Sequence, residues 1–274
     1  YTRNARYTLS AAAWQSITQV ASGAGPLRVR IRSAAVDAAG TRFGGPWLGS
    51  EGTMEIAPVI ATGSIIYWTT SNGTVLKGFR LGDETVNTVL TPANAESKCV
   101  GCHTSTPDGV FTAVSSSQDA SNGGIASVDV RAVEGAARPA FITPAALALL
   151  GRTSQFAPSY SAAHWAPGDR FGLSMRDVAG KTEILWTNLE ATSEAQGEGW
   201  GVLPRGEDPG AAAGAVFSHD GSKVVYTAAP VVSSGTVTSG GDIRIVPYAN
   251  RAGGRPVAAS RAPHPAFPAF SPPS

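Results

Sequence analysis

The sequence predicts an all-β fold, a β-propeller of about four visible blades preceded by a small helix and strand segment. Two observations carry this prediction. Charged residues make up only 15% of the 274 residues, whereas glycine (32) and proline (19) are abundant, and this composition suits short strands joined by turns. In addition, β-rich runs follow turn sequences at a recurring interval along 53–274. Units of about 40–55 residues with four strands each are typical of propeller blades.

Composition also limits the classes of function. Hydrophobic residues make up 42% of the chain and the formal net charge is +1, so the chain has ample apolar surface for a core and is not expected to be disordered. The near-neutral charge gives no electrostatic reason to expect nucleic acid as a partner. The sequence contains no run of 18 apolar residues, so we do not expect it to span a membrane. The oligomeric state is left open.

Residues 1–52 form the predicted N-terminal segment. Apolar residues at helical spacing after a Ser10 cap predict a short amphipathic helix over 8–21 that packs on a core. Residues 27–32 alternate apolar side chains with arginine, which predicts a strand with one apolar face. The glycine-rich residues 40–52 are expected to form a connecting loop.

The predicted propeller, 53–274, rests on a repeated turn. Similar turn sequences begin at residues 105, 165, 217 and 270, with steps of 60, 52 and 53 residues, and a fainter one lies at 59–63. Asp-Gly turns favour hairpins because glycine tolerates positive φ and aspartate bonds the turn backbone. Predicted strands follow the turns at 64–68, 110–114, 170–175 and 222–226, and a later strand completes each unit at 75–79, 125–130, 182–186 and 242–246.

The best of these repeats has a recognisable sequence. Residues 217–226 read Phe-Ser-His-Asp-Gly-Ser-Lys-Val-Val-Tyr, and Asp-Ile-Arg-Ile-Val follows at 242–246. This pattern resembles the TolB-like propeller repeat, F-S-P-D-G-x-x-[IV]-x-[FY] followed by a D-I-W-V strand. The other repeats depart from it, as at 167–169, where Pro-Gly-Asp replaces Pro-Asp-Gly. Because a propeller closes to hide its sheet edges, we expect more chain to follow in the native protein; the alternative is that an unrecognised early segment completes the ring.

Both cysteines and one of the four histidines lie in the five residues Cys99-Val100-Gly101-Cys102-His103. C-x-x-C-H is the attachment signature of haem c, because two thiols at this spacing can add to the two vinyl groups of a porphyrin and the histidine can then ligate the iron. The motif predicts Cys99 and Cys102 as thioether anchors and His103 as the proximal iron ligand. A local disulfide or redox pair remains an alternative, whereas a zinc site would require further ligands.

The repeat alignment places this motif. The alignment matches Ser105 with Phe217, so His103 is expected in the innermost strand of a blade. The two cysteines are expected on the loop that enters this strand. Such loops cluster around the central opening of a propeller, where ligands bind. The combination of C-x-x-C-H with S-x-D-G elements resembles a class of bacterial extracytoplasmic proteins that carry a haem motif in a TolB-like propeller, and this implies electron transfer or redox sensing.

The second axial ligand distinguishes a carrier from a catalyst, since a sixth protein ligand closes the iron and an open position permits chemistry. Met54 is expected in the innermost strand of the preceding blade, level with the two cysteines. His164, beside Trp165, is expected in the innermost strand of the following blade. Both are candidate distal ligands. Met175, the other methionine, is expected to pack in a blade core.

The sequence as a whole therefore predicts an extracytoplasmic c-type cytochrome that transfers electrons to a redox partner protein. It is expected to be an electron carrier rather than an enzyme, in the periplasm or outside the cell, with association with the outer membrane also compatible. Two alternatives remain. One is a haem-free binding or scaffold propeller with a local disulfide. The other is the haem-bearing part of a larger oxidoreductase.

Overall fold

The structure of the protein is a computed structural model. It describes residues 7–58, 63–71, 73–83, 85–117, 127–133, 135–152, 158–230, 232–233, 236–237, 240–262 and 268–270. The chain divides into two compact units, Tyr1–Thr62 and Gly63–Ser274. Within the described ranges, no helix is long and apolar enough to cross a membrane.

The N-terminal unit contains one helix and one hairpin. Helix α1 is Ala11–Ala21, and the Ser10 side chain caps it by accepting a hydrogen bond from the Ala13 amide at 3.3 Å. Strands β1, Leu27–Val36, and β2, Arg42–Met54, pair antiparallel. The glycine-rich stretch predicted as a loop is therefore mostly strand. Glycine has no side chain, so this stretch lacks the alternation of apolar and polar residues that predicts a strand. Backbone hydrogen bonds to β1 stabilise β2 instead.

The apolar residues of this unit are largely exposed, which differs from the core packing expected for the helix. Val20 is 82% exposed, Ile31 63% and Phe43 75%, and Ala21 is the buried residue of α1. The arginines of β1 are instead held by a carboxylate of β2, since Arg28 and Arg30 both pair with Glu51 at 3.2 and 2.6 Å.

The second unit consists of four consecutive antiparallel sheets, as the sequence predicted. Each sheet is built from strands that follow one another in the chain, which is how propeller blades are formed. The first two blades are β3 Ser64–Thr69, β4 Val75–Arg80 and β5 Asn87–Leu90, and β6 Cys99–Ser105, β7 Phe111–Ser117 and β8 Ser127–Ala132. The prediction of an all-β propeller fold is confirmed. Residues 59–62 of the fainter repeat lie outside the described residues.

The third and fourth blades follow helix α2, Pro144–Leu150. The third blade gains its innermost edge from Ser159, which bridges to Leu173. The small hairpin β14–β15 lies within the fourth blade's sequence. The strands are β9 Phe171–Val178, β10 Lys181–Asn188, β11 Trp200–Val202, β12 Ala211–Phe217, β13 Lys223–Ala229, β14 Val232–Ser233, β15 Thr236–Val237, β16 Gly241–Pro247 and β17 Val257–Ala262.

The repeated turn has the same hydrogen bonds in the second and fourth blades. The hydroxyls of Thr106 and Ser218 donate to the Oδ1 atoms of Asp108 and Asp220 at 2.5 and 2.6 Å. Each Oδ1 also accepts from the backbone amide two residues further on, at 3.1 Å in both turns. The sequence repeat therefore reflects one turn geometry, in which the hydroxyl and the carboxylate close the hairpin together.

The lowered pKa values of these two aspartates make the free energy of unfolding depend on pH in acid. Burial alone would raise the pKa of Asp108, but hydrogen bonds from Thr106 and Trp165 outweigh it and lower the pKa. The Ser218 hydroxyl and the Ser222 amide lower the pKa of Asp220 to about 2. A carboxyl with a lowered folded pKa stabilises the fold above its unfolded pKa of about 3.9, and this contribution is lost as the pH falls through the folded pKa.

We therefore expect the free energy of unfolding, measured in urea, to fall between about pH 4 and pH 2. Above about pH 5 the contribution of these two carboxylates is complete and should not change with pH. Asp108→Asn and Asp220→Asn should flatten the acid limb of the profile. An acid limb as steep in the double variant as in the wild type would contradict this assignment.

The third blade contacts the turns of both neighbouring blades through two adjacent side chains. The Trp165 Nε1–H donates to Asp108 Oδ2 of the second blade at 2.8 Å. The His164 ring contacts Asp169 Oδ2 through Nδ1 and the Gly221 carbonyl of the fourth blade through Nε2, both at 3.2 Å. Because the contacts join turns rather than strands, they fix neighbouring blades at the end of the sheets where the repeated motif lies.

Candidate functional site

All three residues of the haem motif lie on β6, the innermost strand of the second blade. The strand begins at Cys99, so the cysteines are part of the strand itself and not of the loop that enters it, where they were expected. His103 lies in the innermost strand as expected. Sheet pairing with β7 therefore holds the motif at Cys99, Val100 and His103.

A β-bulge in β6 decides where the side chains of the motif are directed. Val100 pairs with Ser116 and His103 with Val114, so the two residues between them share one partner position, Ser115. Cys99 pairs with Ser117, two residues from Ser115. In a regular strand, residues three apart lie on opposite faces. The bulge instead places both cysteines on the face of the sheet that carries Ser115.

Both cysteines are free thiols. Cys99 is partly buried, and its Sγ–H lies 3.8 Å from the Val100 carbonyl. Burial raises the pKa of the Cys102 thiol, while hydrogen bonds at its own backbone and to Ser115 act in the opposite direction. The Ser115 hydroxyl donates to the Cys102 carbonyl at 3.2 Å. The local disulfide of the alternative hypothesis is not formed in this structure.

His103 lies on the other face of the sheet, with the face of Val100 and Val114. Its Nε2 is 3.3 Å from the carbonyl oxygen of Ile66 on β3 in the first blade. This face packs on the first blade, because Val100 and Val114 are both fully buried in one apolar cluster with Leu76. The imidazole and the two thiols thus start from opposite faces of one strand.

Contacts with the first blade fix β6 at Val100. The Val100 amide donates to Thr74 Oγ1 at 3.1 Å, and the Val100 carbonyl accepts from Trp68 Nε1 at 2.8 Å. Val100 itself has no exposed surface. These contacts fix the position of the strand between the two cysteines. Val100 therefore positions the motif although its side chain has no reactive group.

A cavity of about 350 Å³ adjoins the motif, within the range of small-molecule pockets, about 300–1,000 Å³. One wall is the β6 stretch from Cys102 to Thr104, and the facing walls come from the third and fourth blades. These walls are small or apolar apart from a few hydroxyls and one thioether, and their residues are Ser159, Leu173, Ser174, Met175, Gly214, Ala215 and Val216.

Two residues of this wall have chemistry that the sequence did not assign to the site. Ser174 is 4% exposed, and its Oγ has no hydrogen-bond partner among the described residues. Met175 is also 4% exposed and packs in the core of the third and fourth blades, as expected, but it borders the cavity too. Neither residue could be linked to the motif from sequence, because the contact depends on how separate blades pack.

The two predicted distal ligands lie elsewhere. Met54 is the last residue of β2 and pairs with Leu27 in the N-terminal unit, whereas it was expected in the innermost strand of a blade. His164 ends a 3-10 turn, Ala162–His164, rather than an innermost strand. Its two ring nitrogens contact Asp169 and Gly221, and neither faces the cavity beside Cys102.

A buried ionic network in the third and fourth blades is a second feature that sequence reasoning missed. Asp208, on the loop before Pro209, has a fully buried side chain. Its Oδ2 accepts from Arg205 Nη1 at 2.9 Å and from the Tyr226 hydroxyl at 2.6 Å. Arg205, 3% exposed, also pairs with Glu183 at 2.5 Å. Asp208 and Arg244 border a cavity of about 760 Å³.

The motif has the donor types of haem c, two free thiols and an imidazole. Their placement in this structure differs from what haem c requires, because His103 lies on the face of β6 away from the thiols and contacts Ile66. Of the two cysteines, Cys102 borders the cavity. The donor types therefore fit haem c, whereas ligation of its iron by His103 would require β6 to change its conformation.

Other metal centres find less support. Within the described ranges, no three His, Cys, Asp or Glu side chains converge in a group that could hold a metal ion. A structural zinc site needs four such donors.

Comparison with known proteins gives similarity to solved structures alone. No family model and no curated protein matches the sequence. A structure from a study of two prolyl endopeptidases matches with a TM-score of 0.46 and 16% identity, covering 72% of this chain and 27% of that chain. TolB from Acinetobacter baumannii matches with a TM-score of 0.46 and 14% identity, covering 90% of this chain and 60% of that one.

A third structure, putative TolB from Agrobacterium tumefaciens, matches with a TM-score of 0.39 and 16% identity, covering 72% of this chain and 62% of that one. The chain thus spans less than two thirds of the length of each of these proteins. By the arrangement of its own sheets, the chain is an all-β protein of the propeller type.

Proposed function

We propose that the protein is an extracytoplasmic c-type cytochrome that carries electrons to a redox partner protein. The observation that carries this proposal is the C-x-x-C-H motif on the bulged strand β6, whose two thiols are free and lie on one face, with Cys102 bordering a cavity. Haem c, when bound, supplies one-electron chemistry at a potential set by its axial ligands and its burial.

The residues of the chain have distinct roles in this proposal. Cys99 and Cys102 would hold the porphyrin through thioether bonds, and His103 would ligate the iron. Trp68 and Thr74 hold the strand through the backbone of Val100. The aliphatic and glycine walls of the cavity would keep water from the part of the group that lies there, and burial of this kind is one of the features that set the potential of a haem.

The exposure of the motif supports transfer by contact with a partner. Cys102 is exposed and Cys99 is partly buried, so a group attached to both would have one edge at the surface. Electron exchange then requires only that a partner docks at this edge. The periplasm or the cell exterior, where covalent haem attachment takes place, is the proposed location, and the haem-bearing part of a larger oxidoreductase is the related alternative.

The test is to produce the full chain in a bacterial periplasm together with the haem c attachment machinery. We expect a sharp α-band in the reduced protein and the mass of one haem retained after denaturation. Absence of both would contradict the proposal. Cys99→Ala with Cys102→Ala should abolish the retained mass. His103→Ala should keep covalent haem but change the spectrum, whereas His219→Ala, at an exposed turn, should change neither.

A second candidate function is ligand binding by a haem-free propeller. It is favoured by the cavity of about 760 Å³ in the fourth blade, whose wall includes the ion pair of Arg244 Nη2 with Asp242 Oδ2 at 3.3 Å. The same preparation distinguishes the two functions, because a protein that folds fully without haem in the presence of the attachment machinery supports the second.

A further inference from the structure

We infer that the cavity of about 760 Å³ in the fourth blade binds a small organic carboxylate, which the guanidinium of Arg244 recognises. The inference rests on the ligand binding of the second candidate function and deepens it, because it names the class of ligand and the residue that selects it. It does not require the chain to be free of haem, since the described wall of this cavity contains neither the cysteines nor His103.

Strands β13 and β16 supply the charged wall of the cavity. In their pairing, Tyr226 lies opposite Arg244 and Ala228 lies opposite Asp242, so these four side chains share one face of the sheet. Tyr226 and Ala228 are buried in the core of the third and fourth blades. The side chains of Arg244 and Asp242 are 25% and 24% exposed. Both charges are therefore partly removed from water, where a charged hydrogen bond is stronger than in bulk solvent.

Arg244 is the loosely held cation of the buried ionic network. Arg205 pairs with Glu183 at 2.5 Å and with Asp208 at 2.9 Å. Arg244 instead contacts Asp208 Oδ1 at 3.4 Å and Asp242 Oδ2 at 3.3 Å, longer than the usual charged hydrogen bond of about 2.7–2.9 Å. Its Nε is buried and has no hydrogen-bond partner among the described residues. Because a guanidinium has five N–H donors, Arg244 can bind a further acceptor, and its accessible part borders the cavity.

The charges and the walls of the cavity favour a carboxylate on an aliphatic body. The planar donors of a guanidinium match the two oxygens of a carboxylate. A phosphate monoester carries more negative charge, and Asp208 and Asp242 in the same wall would repel it. Proline, alanine and glycine form the rest of the wall, among them Pro209, Ala228 and Pro230. The volume lies within the range of small-molecule sites, about 300–1,000 Å³.

The first experiment measures the binding of hexanoate to the full chain by ligand-observed NMR, with hexan-1-ol and hexylamine as probes that differ in the head group. We expect saturable binding of hexanoate and at least about tenfold weaker binding of the other two, the effect of one charged hydrogen bond. Arg244→Gln should weaken hexanoate binding by a similar factor. Arg255→Gln, at an exposed position outside the cavity wall, should match the wild type.

Three results of this experiment would overturn the inference. They are the absence of saturable hexanoate binding, equal binding of the three probes, and unchanged hexanoate binding in a folded Arg244→Gln variant. A protein that carries covalent haem and does not bind hexanoate contradicts the carboxylate site alone. A protein that binds hexanoate but takes up no haem contradicts the cytochrome alone.

A second measurement keeps the test valid if Arg244→Gln does not fold. In wild-type protein with ¹³C-labelled alanine methyls, we expect nuclear Overhauser effects from hexanoate to Ala228 and Ala229, which border the cavity. Ala113, buried in the second blade, should show none. Effects at other alanines in place of these two would overturn the site. Effects at Ala228 from hexylamine but not from hexanoate would retain ligand binding in the cavity and overturn the carboxylate.

Discussion

Replacing Asp208 with alanine is expected to lower the free energy of unfolding by about 3–5 kcal/mol, because it breaks a buried ion pair and removes the acceptor of further buried hydrogen bonds, which leaves Arg205 with Glu183 as its carboxylate partner. Arg205 is 3% exposed and would lose the bond to Asp208 Oδ2. The Tyr226 hydroxyl, donating to the same oxygen at 2.6 Å, and the Gly210 amide, donating to Oδ1 at 2.9 Å, would lose their acceptor too.

Urea unfolding followed by tryptophan fluorescence measures this effect. Asp208→Asn should have a smaller cost, since an amide oxygen still accepts from Tyr226 or Gly210. Asp83→Ala, at an exposed turn, is the matched control and should change stability by no more than about 0.5 kcal/mol. An Asp208→Ala variant as stable as this control would show that the buried network contributes no net stability.

Replacing Leu76 with alanine is expected to lower the free energy of unfolding by about 2–5 kcal/mol, the usual range for a fully buried leucine. Leu76 has no exposed surface and lies in the cluster that joins the first blade to Val100 and Val114 of the second. The cost combines the lost apolar transfer energy with the cavity that remains. Because Val100 anchors the strand of the C-x-x-C-H motif, the same change should loosen β6.

Leu81→Ala is the control for this prediction, since Leu81 is 42% exposed and its truncation should cost far less. Hydrogen exchange supplies the local measurement. We expect faster exchange of the Val100 amide in Leu76→Ala than in Leu81→Ala, with the fourth blade unchanged in both. Equal protection of the Val100 amide in the two variants would mean that the cluster does not support the motif.

The repeat and the strands could be predicted from sequence because both depend on local chemistry. The Ser218–Asp220 turn is closed by a hydrogen bond between its own hydroxyl and carboxylate, so the residues of the turn are enough to predict its conformation. The N-terminal hairpin was harder, because β2 owes its conformation to pairing with β1 and its glycines carry no pattern of their own. A strand that is specified by its partner leaves little signal in its own residues.

The site could be predicted only in part for the same reason. Cys99, Cys102 and His103 lie within five consecutive residues, so the C-x-x-C-H motif can be recognised from the sequence. Met175 reaches the cavity through the packing of separate blades. Asp208, next to Pro209, resembles a solvated loop residue, but it is buried against Arg205 of the same loop and Tyr226 of β13. Contacts between separate strands and loops set the positions of Met175 and Asp208.

The bulge of β6 has an evolutionary consequence, because it recurs in the innermost strand of the fourth blade. There the pairing of β12 with β13 shifts by one residue between Ala213 and Val216, within one residue of the aligned position, although no cysteine is present. The ancestral blade could thus have had this irregularity before it had any thiol. A haem motif would then arise by point substitution in an existing strand, with no insertion or deletion in the gene.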